Sequence, residues 1–534
     1  MNRRFLSNFV LLSFAAISLP AQANMEALLE KLHKKGVLSD SEFKEMRTEA
    51  RQARRDTAIQ TAQETEQKEK RKAAEKKELK GKFSDGFSFG SGDGQHSIKL
   101  TGRVHADYRF SDDDYSLQPA GSNDRDSASI AEGFELRRAR LGVSGKVYKD
   151  IAYEVVLNGV GSGPTVDTAL FNLGFYKPVQ FRVGRFKQPF SLEQMTSSNN
   201  MDFAERSYND QMVPSKKLGA MFHGEPMPGL TYAVSAFQQG FSEGSQDEGE
   251  GKRHAARLTA NFAQLAEIKD TVLHVGIAGV GGDYQIRPSQ SSQTNSTYET
   301  TTRATVVGFR SMNRGLSNVY RAQIGGQDLP AGGLGARSAF KSETLVDVEQ
   351  KLLGLEFAAA RGPFKLQGEY VKADYDAVNP VVSPGDVQQR VEGDVKSYYL
   401  QAVWNITGEK WSDAYRSGAF SGIKPLQNFK PGSGGWGAWQ LGLRYSKFDA
   451  SDITVSGSSS REQSGALGSS ADYNNEVDSY GVGLNWLLNP MMRFMLEYTE
   501  TKFGGATLPL DVSTTGAKGI DKEQLVSMRA QFNF

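Results

Sequence analysis

Arginine recurs on alternate positions along several segments of this chain: Arg103 and Arg109, Arg138 and Arg140, Arg182, Arg444, Arg493 and Arg529. A guanidinium keeps its charge at any working pH and forks onto two oxygens of a carboxylate or a phosphate. A ladder of such groups can hand an anion from one to the next. Asp107, Glu154, Glu356, Glu369 and Glu497 share those alternate positions. The same rows can therefore be read as cross-strand ion pairs that only satisfy one another. A second cluster lies in the connection 188–216, where Thr196-Ser197-Ser198-Asn199-Asn200 is a run of neutral donors followed by Arg206. Hydroxyl donors can replace water around an oxyanion that sheds its hydration shell. Bond-making chemistry is not indicated. His33, His96, His105, His223, His254 and His274 are scattered without metal-ligand spacing, cysteine is absent, and there is no nucleophile elbow or phosphate loop. No enzyme and no cofactor are expected.

Side chains of this kind need a wall that turns every second residue to one side. Residues 98–110 supply the pattern: Ile98, Leu100, Val104, Ala106, Tyr108 and Phe110 alternate with Lys99, Thr101, Arg103, His105, Asp107 and Arg109. The alternation returns at Leu141/Val143, Val155/Leu157, Phe171/Leu173, Tyr232/Val234, Leu355/Phe357, Leu366/Tyr370, Leu400/Ala402, Leu441/Leu443, Val482/Leu484 and Leu496/Tyr498. Short connections such as Lys149-Asp150, Lys177-Pro178, Gly362-Pro363 and Asn489-Pro490 alternate with long polar ones at 111–132, 188–216, 240–251, 282–349, 375–393, 450–476 and 504–522. Short turns on one side and long loops on the other mark a transmembrane β-barrel. The pattern gives 16 antiparallel strands, or 18 if 302–312 and 341–349 form a further hairpin. The connection 405–435 is long on the short-turn side. A barrel of this size leaves a water-filled interior, so function belongs to its lining.

Composition agrees. The 534 residues hold 63 Lys+Arg against 62 Asp+Glu, which argues against a nucleic-acid partner held by bulk charge. Mean hydropathy is −0.49, and beyond the first 23 residues no apolar run is long enough for a membrane helix. Residues 1–23 read as an export signal: Arg3 and Arg4, an apolar stretch from Phe9 to Leu19, then Ala21-Gln22-Ala23. Residues 24–82 read as a periplasmic helical or coiled-coil segment, with Ser39 and Glu42 as a capping box and almost only charged residues, Ala, Gln and Thr from 51 to 80. A solvated tether is the plainer alternative for it. Residues 83–534 read as the barrel, ending Val526, Met528, Ala530, Phe532 and Phe534 on one face. That ending looks like the assembly signal of bacterial outer-membrane proteins, and it implies outer-membrane lipid and the assembly machinery as partners.

The blocks Phe134–Val143, Arg182–Phe190, Thr196–Ser198 with Phe203–Arg206, Arg361–Tyr370 and Gly437–Ser446 resemble the phosphate-selective porin O and P family. The resemblance implies a trimeric 16-stranded outer-membrane barrel narrowed by an inward-folded loop and a folded-in periplasmic segment. It implies a phosphate site made by Arg137 or Arg138, Asp167, Ser197 and Ser198, with Arg206 nearby. Gln194 stands where the resemblance implies a loop lysine. Strict alternation turns Arg137 and Asp167 outward, so either a bulge re-aims them or the correspondence fails there. The reading is a homotrimeric outer-membrane porin for small anions, phosphate or polyphosphate preferred. Its rivals are a channel without phosphate selectivity and a structural envelope protein that the barrel only anchors.

Overall fold

The computed structural model describes the chain except residues 1–18, 78, 84–85, 112–131, 162, 240–250, 287–288, 291–301, 317–318, 325–345, 379–387, 457–460, 464–474, 505–507, 510–518 and 521. Most of the expected export signal and of the long loops lies outside the described residues. The chain divides into a unit reaching to Lys80, with Ser91–Gly94, and a second of Gly81–Gly90 and Gln95–Phe534.

The first unit holds helices α1 (Leu19–Lys34) and α2 (Asp40–Lys77). Gly36, at φ 67°, ends α1, and the amide of Val37 returns to the Leu32 carbonyl at 3.1 Å. The capping box forms: the Ser39 amide donates to the Glu42 carboxylate at 3.0 Å, and the Glu42 amide to Ser39 Oγ at 3.4 Å. The early part of α2 lies against α1 through Arg51 and Glu26 at 2.8 Å and a His33–Phe43 ring stack at 4.4 Å. Farther along, the helix is exposed and has no apolar stripe, with Ile59 more than half accessible. Its 38 residues span about 57 Å.

The second unit is a closed antiparallel barrel of 16 strands. They are β1 (Ser97–Phe110), β2 (Gly133–Val147), β3 (Ile151–Asn158), β4 (Thr165–Tyr176), β5 (Val179–Lys187), β6 (Lys216–Met227), β7 (Leu230–Gln238) and β8 (Lys252–Asn261), then β9 (Thr271–Ile286), β10 (Val346–Arg361), β11 (Phe364–Val378), β12 (Arg390–Asn405), β13 (Ala438–Asp449), β14 (Glu476–Asn489), β15 (Met492–Gly504) and β16 (Lys522–Asn533). Each pairs with the next, and β16 returns to β1 with Met528 opposite Tyr108 and Ala530 opposite Ala106. The alternation becomes wall geometry: Leu100, Val104, Leu141, Val155, Phe171, Leu355, Leu400, Leu443 and Leu496 are exposed on the outer face. Two aromatic rows bound that apolar band on the tall side of the barrel. Tyr398, Tyr445 and Tyr480 form one; Phe364, Trp404, Trp439 and Trp486 form the other, with ring stacks at 6.0 and 5.2 Å. Six residues separate the rows on β12, β13 and β14, or about 20 Å along a strand. Phe534 completes the seam: its amide and carbonyl bond Gly102 at 3.0 and 2.9 Å. Its ring occupies the space a Cβ at Gly102 would need, 2.2 Å away.

The 18-strand alternative is corrected. Thr302–Phe309 pairs with Tyr320–Ile324 in a separate small sheet, not in the wall. Residues 341–345 lie outside the described residues, and 346–349 open β10. The small sheet fills the long-loop end of the barrel. Val306, Val307, Phe309, Tyr320, Ala322 and Ile324 form a buried core with Leu352, Val371, Ala373, Val391, Phe448 and Val477 from the wall. The inner face of β7–β16 is therefore apolar at that end.

Candidate functional site: the loop-narrowed lumen

The connection between β5 and β6 crosses the barrel and is fastened to its far wall. Phe190 packs over Gly354, where a Cβ would lie 2.7 Å from the ring, and Phe203 rests on Gly442 and Gly483. Glycine at inward positions leaves the hollows these rings fill. Burying each ring contributes on the order of 2–3 kcal/mol. Polar bonds fix the rest. Ser191 caps a one-turn helix, Leu192–Met195, by accepting from the Gln194 amide at 3.1 Å. The amides of Leu192 and Glu193 donate to the Glu369 carboxylate at 3.0 and 2.7 Å. Lys365 bonds Asp202 at 2.7 Å while its ammonium sits 3.7 Å from the Trp411 ring centroid and 4.5 Å from that of Phe420. One buried lysine thus holds the loop and the connection that follows β12 together.

That connection also turns inward. Trp411, Ala414, Tyr415, Phe420 and Ile423 form a buried cluster with Leu192, Val272, Ala358, Val403 and Leu487. Tyr415 bonds His274 at 2.7 Å, His274 bonds Glu356 at 3.1 Å, and Arg257 forks onto Glu356 at 2.8 and 2.6 Å. These bonds account for the long 405–435 connection on the short-turn side.

Both residues that strict alternation turns outward sit at register shifts. β1 passes from His105 opposite Arg138 to Ala106 opposite Leu136, so Arg137 bulges. β3 passes from Val156 opposite Thr168 to Leu157 opposite Val166, so Asp167 bulges. The bulges re-aim both side chains into the lumen. Arg137 forks onto loop Glu205 at 2.7 and 3.0 Å. Asp167 pairs with Arg140 at 2.8 Å and with Lys216, which reaches it across β5 and donates to Thr168 Oγ1 at 2.8 Å.

The arginines separate into two groups. Arg109 is buried against Glu135 at 2.7 Å, and Arg444 donates to the Glu205 carbonyl at 2.8 Å with its guanidinium 4.2 Å from the Phe203 ring centroid. Arg493 donates to the loop carbonyls of Asn199 and Met201, and Arg529 forks onto Asp107 at 2.7 Å. Arg138 is buried beside His105 at 3.5 Å. These five are engaged with neighbouring groups. Arg103, Arg140 and Arg182 are half-buried and keep a face toward the lumen. Arg103 donates to Ser198 Oγ at 2.7 Å and stands within electrostatic range of Arg140, Arg206, Asp167 and Glu154. Ser197 is taken up by the Asn199 amide at 3.4 Å. Arg206 donates to the carbonyls of Glu193 and Thr196, both at 3.1 Å. Gln194 is buried, and Lys187 reaches the carbonyls beside it: 2.5 Å to Gln194 and 2.8 Å to Thr196.

Two loop carboxyls behave oppositely. Burial pushes Glu205 up, but the ion pairs with Arg137 and Arg529 outweigh it and hold the group well below the usual carboxylate range. Burial pushes Glu193 up, and Arg444 and Ser207 do not fully offset it.

Lys187, Lys216, Lys365, Asp202 and Glu205 were not singled out from the sequence. Alternation puts Lys216 on the lipid face with Leu218 and Phe222, and only the low top of β5 lets it reach inside. Lys365 alternates with Phe364 and Leu366 and was open to the same parity reading as the arginines.

Below the loop lies a vestibule of about 790 Å³. Its basic lining is Lys99, Arg103, Arg140, Lys410, Arg416 and Lys424; its acidic lining is Glu154, Glu409 and Asp413. A profile described as phosphate-selective porin O and P matches residues 98–306 and 327–534, most of this chain. The chain belongs to the phosphate-selective porin O and P family. It is an outer-membrane anion porin. This porin is 24% identical to Porin O of Pseudomonas aeruginosa over 432 residues, which cover 79% of this chain and 86% of that protein. Among solved structures, the outer-membrane channel DcaP of Acinetobacter baumannii aligns with TM-score 0.43 at 12% identity, covering 82% of this chain and 97% of that one. An anion-selective porin from Comamonas acidovorans aligns with TM-score 0.41 at 13% identity, covering 82% and 100%.

Proposed function

We propose that this porin selects phosphate-like oxyanions where loop 188–215 meets the wall of β1–β6, with Arg103, Arg140, Arg206, Lys216 and Ser198 as the contacting groups. The observation that carries this is the basic excess there: Arg103, Arg140 and Lys216 gather around Asp167, Arg206 and Lys187 stand beside them, and Asp210, Glu154 and Glu193 are the other carboxylates near the group. An oxyanion arriving from above meets Lys216 and Arg206. It exchanges water for the guanidinium of Arg103 and the Ser198 hydroxyl, then leaves through the basic vestibule. Asp167 keeps the cations from holding it too tightly, which a conducting site requires. Arg137, Arg138 and Ser197 act one step back, by fixing the loop and its turn.

Residues 1–23 serve as a cleaved export signal in this reading, and 24–82 stand in the periplasm. The working form is a homotrimer. The outward face of β1 and β2 supports it, because it is apolar to its described rim, where Phe110, Phe134 and Leu136 are exposed. The test is the reversal potential of single channels in a salt gradient, followed by titration of the chloride current with phosphate. Anion selectivity with block at low phosphate is expected. Anion selectivity with no phosphate block would leave a general anion channel.

A further inference from the structure

Lys187, the last residue of β5, gathers three successive backbone carbonyls of the loop on one ammonium: Gln194 at 2.5 Å, Met195 at 3.3 Å and Thr196 at 2.8 Å. These bonds occupy all three of its donors. Arg206 takes the carbonyls of Glu193 and Thr196 at the same place. The last carbonyls of a helical turn have no partner within the helix and carry partial negative charge. Left bare, the end of Leu192–Met195 would repel an anion, and two cations cover it instead. Among the described residues no carboxylate pairs with Lys187, so its charge is not cancelled.

The same bonds decide where the neighbouring amides point. The peptide bonds here are trans, so a carbonyl and the N–H of the next residue point in opposite directions. With the Thr196 carbonyl turned onto Lys187, the Ser197 amide is turned away from it. The amides on either side are used: Met195 and Thr196 donate to the Ser191 and Leu192 carbonyls at 2.9 and 3.0 Å, and Asn199 and Asn200 to the Ser197 hydroxyl and carbonyl at 3.4 and 2.8 Å. Between them the amides of Ser197 and Ser198 bond no group among the described residues. Two successive N–H groups of this kind form a concavity for an anion. Ser198 Oγ accepts from Arg103 at 2.7 Å, which leaves its own hydrogen to donate.

We propose that Lys187 is a positioning residue for oxyanion recognition: it holds three loop carbonyls away from the ion and leaves the Ser197 and Ser198 amides to replace the ion's water. This role rests on oxyanion selection where the loop meets the wall, and it supplies the means of discrimination. The surrounding cations attract chloride and phosphate alike. Neutral donors at fixed angles favour an ion with several acceptor oxygens.

The experiment is phosphate titration of the chloride current through single channels of the intact porin, as wild type, K187R and K187M. Arginine keeps the charge, but its planar fork cannot converge on three oxygens from one nitrogen. K187R should therefore keep an anion-selective reversal potential while its half-blocking phosphate concentration rises about tenfold, the scale of one hydrogen bond to an ion. K187M should show the weaker block together with reduced anion selectivity. In wild type labelled with nitrogen-15 serine, the Ser197 and Ser198 amide resonances should move with phosphate and not with chloride. Block of K187R at the wild-type concentration would mean that charge alone matters, and would overturn the role. A raised chloride conductance in both variants would mean loop fastening alone, and would overturn it too, as would unmoved serine amides in a wild type that phosphate blocks. A wild type that phosphate does not block would overturn both this role and the oxyanion reading on which it rests.

Discussion

The two sides of this lumen are made differently. On β1–β6 the inner face is charged, and Arg103, Arg140 and Arg182 are half-buried with a face toward the lumen. On β7–β16 the inner face is occupied: an apolar core and the inserted sheet at the long-loop end, two inward-folded connections below. The barrel's diameter therefore does not set the pore. Charge on the filled side acts in fastening, as Arg444, Arg493 and Arg529 show. On the open side Arg109, Arg137 and Arg138 also fasten, and Arg103, Arg140 and Arg182 are the arginines that keep a face toward the lumen. An inward arginine is a pore residue where its guanidinium keeps a face toward the lumen, as Arg103 does beside Ser198 of the loop.

Lys365→Met tests the fastening most severely. It leaves Asp202 charged and buried, at a cost of about 3–5 kcal/mol, and it frees the loop and the Trp411 segment at once. A several-fold larger single-channel conductance with lost selectivity is expected, and a lower temperature of heat-induced gel shift. Leu352→Ala removes a buried side chain from the filled side. It should lower stability by about 2–5 kcal/mol while leaving conductance and reversal potential unchanged. A shifted reversal potential would show that the two sides are not separable. Arg140→Glu addresses the open side: the anion-to-cation permeability ratio should fall about tenfold, equivalent to about 1.4 kcal/mol, with thermal stability lowered by the lost pair with Asp167. The smallest effect concerns pH. Glu205 has a depressed folded value, so its stabilisation is fully present above 4.5 and is lost only as pH falls through that lower value. Conductance titrated from pH 7 to about 5 should show no loop release; Glu205→Gln should show altered conductance at every pH.

The wall was legible because period-two alternation has one structural meaning once it repeats with short and long connections. Closure, strand number and the outer face came from it directly. The interior was legible only in part. Strict parity sends Arg137 and Asp167 to the lipid, and each is turned by one extra residue that no local residue type announces. The filled side was signalled where β10 and β11 are apolar on both faces, as at Leu352 beside Leu353 and Val371 beside Tyr370. A polar lumen, the ordinary expectation for a porin, hides that signal. The partners of Lys365 and Glu205 lie more than 60 residues away in sequence and follow from no local spacing.

The seam between β1 and β16 has a kinetic meaning. Arg529 and Asp107, 422 positions apart in sequence, meet there as a buried fork, and Arg529 also holds Glu205 of the loop at 2.9 Å. Ring closure of such length is entropically slow and must await nearly all other pairing. Until then β1 and β16 are bare sheet edges able to recruit a wrong strand. The event that ends that exposure also adds Arg529 to the fastenings of the loop that narrows the pore, so an unzipped barrel holds its gasket less firmly.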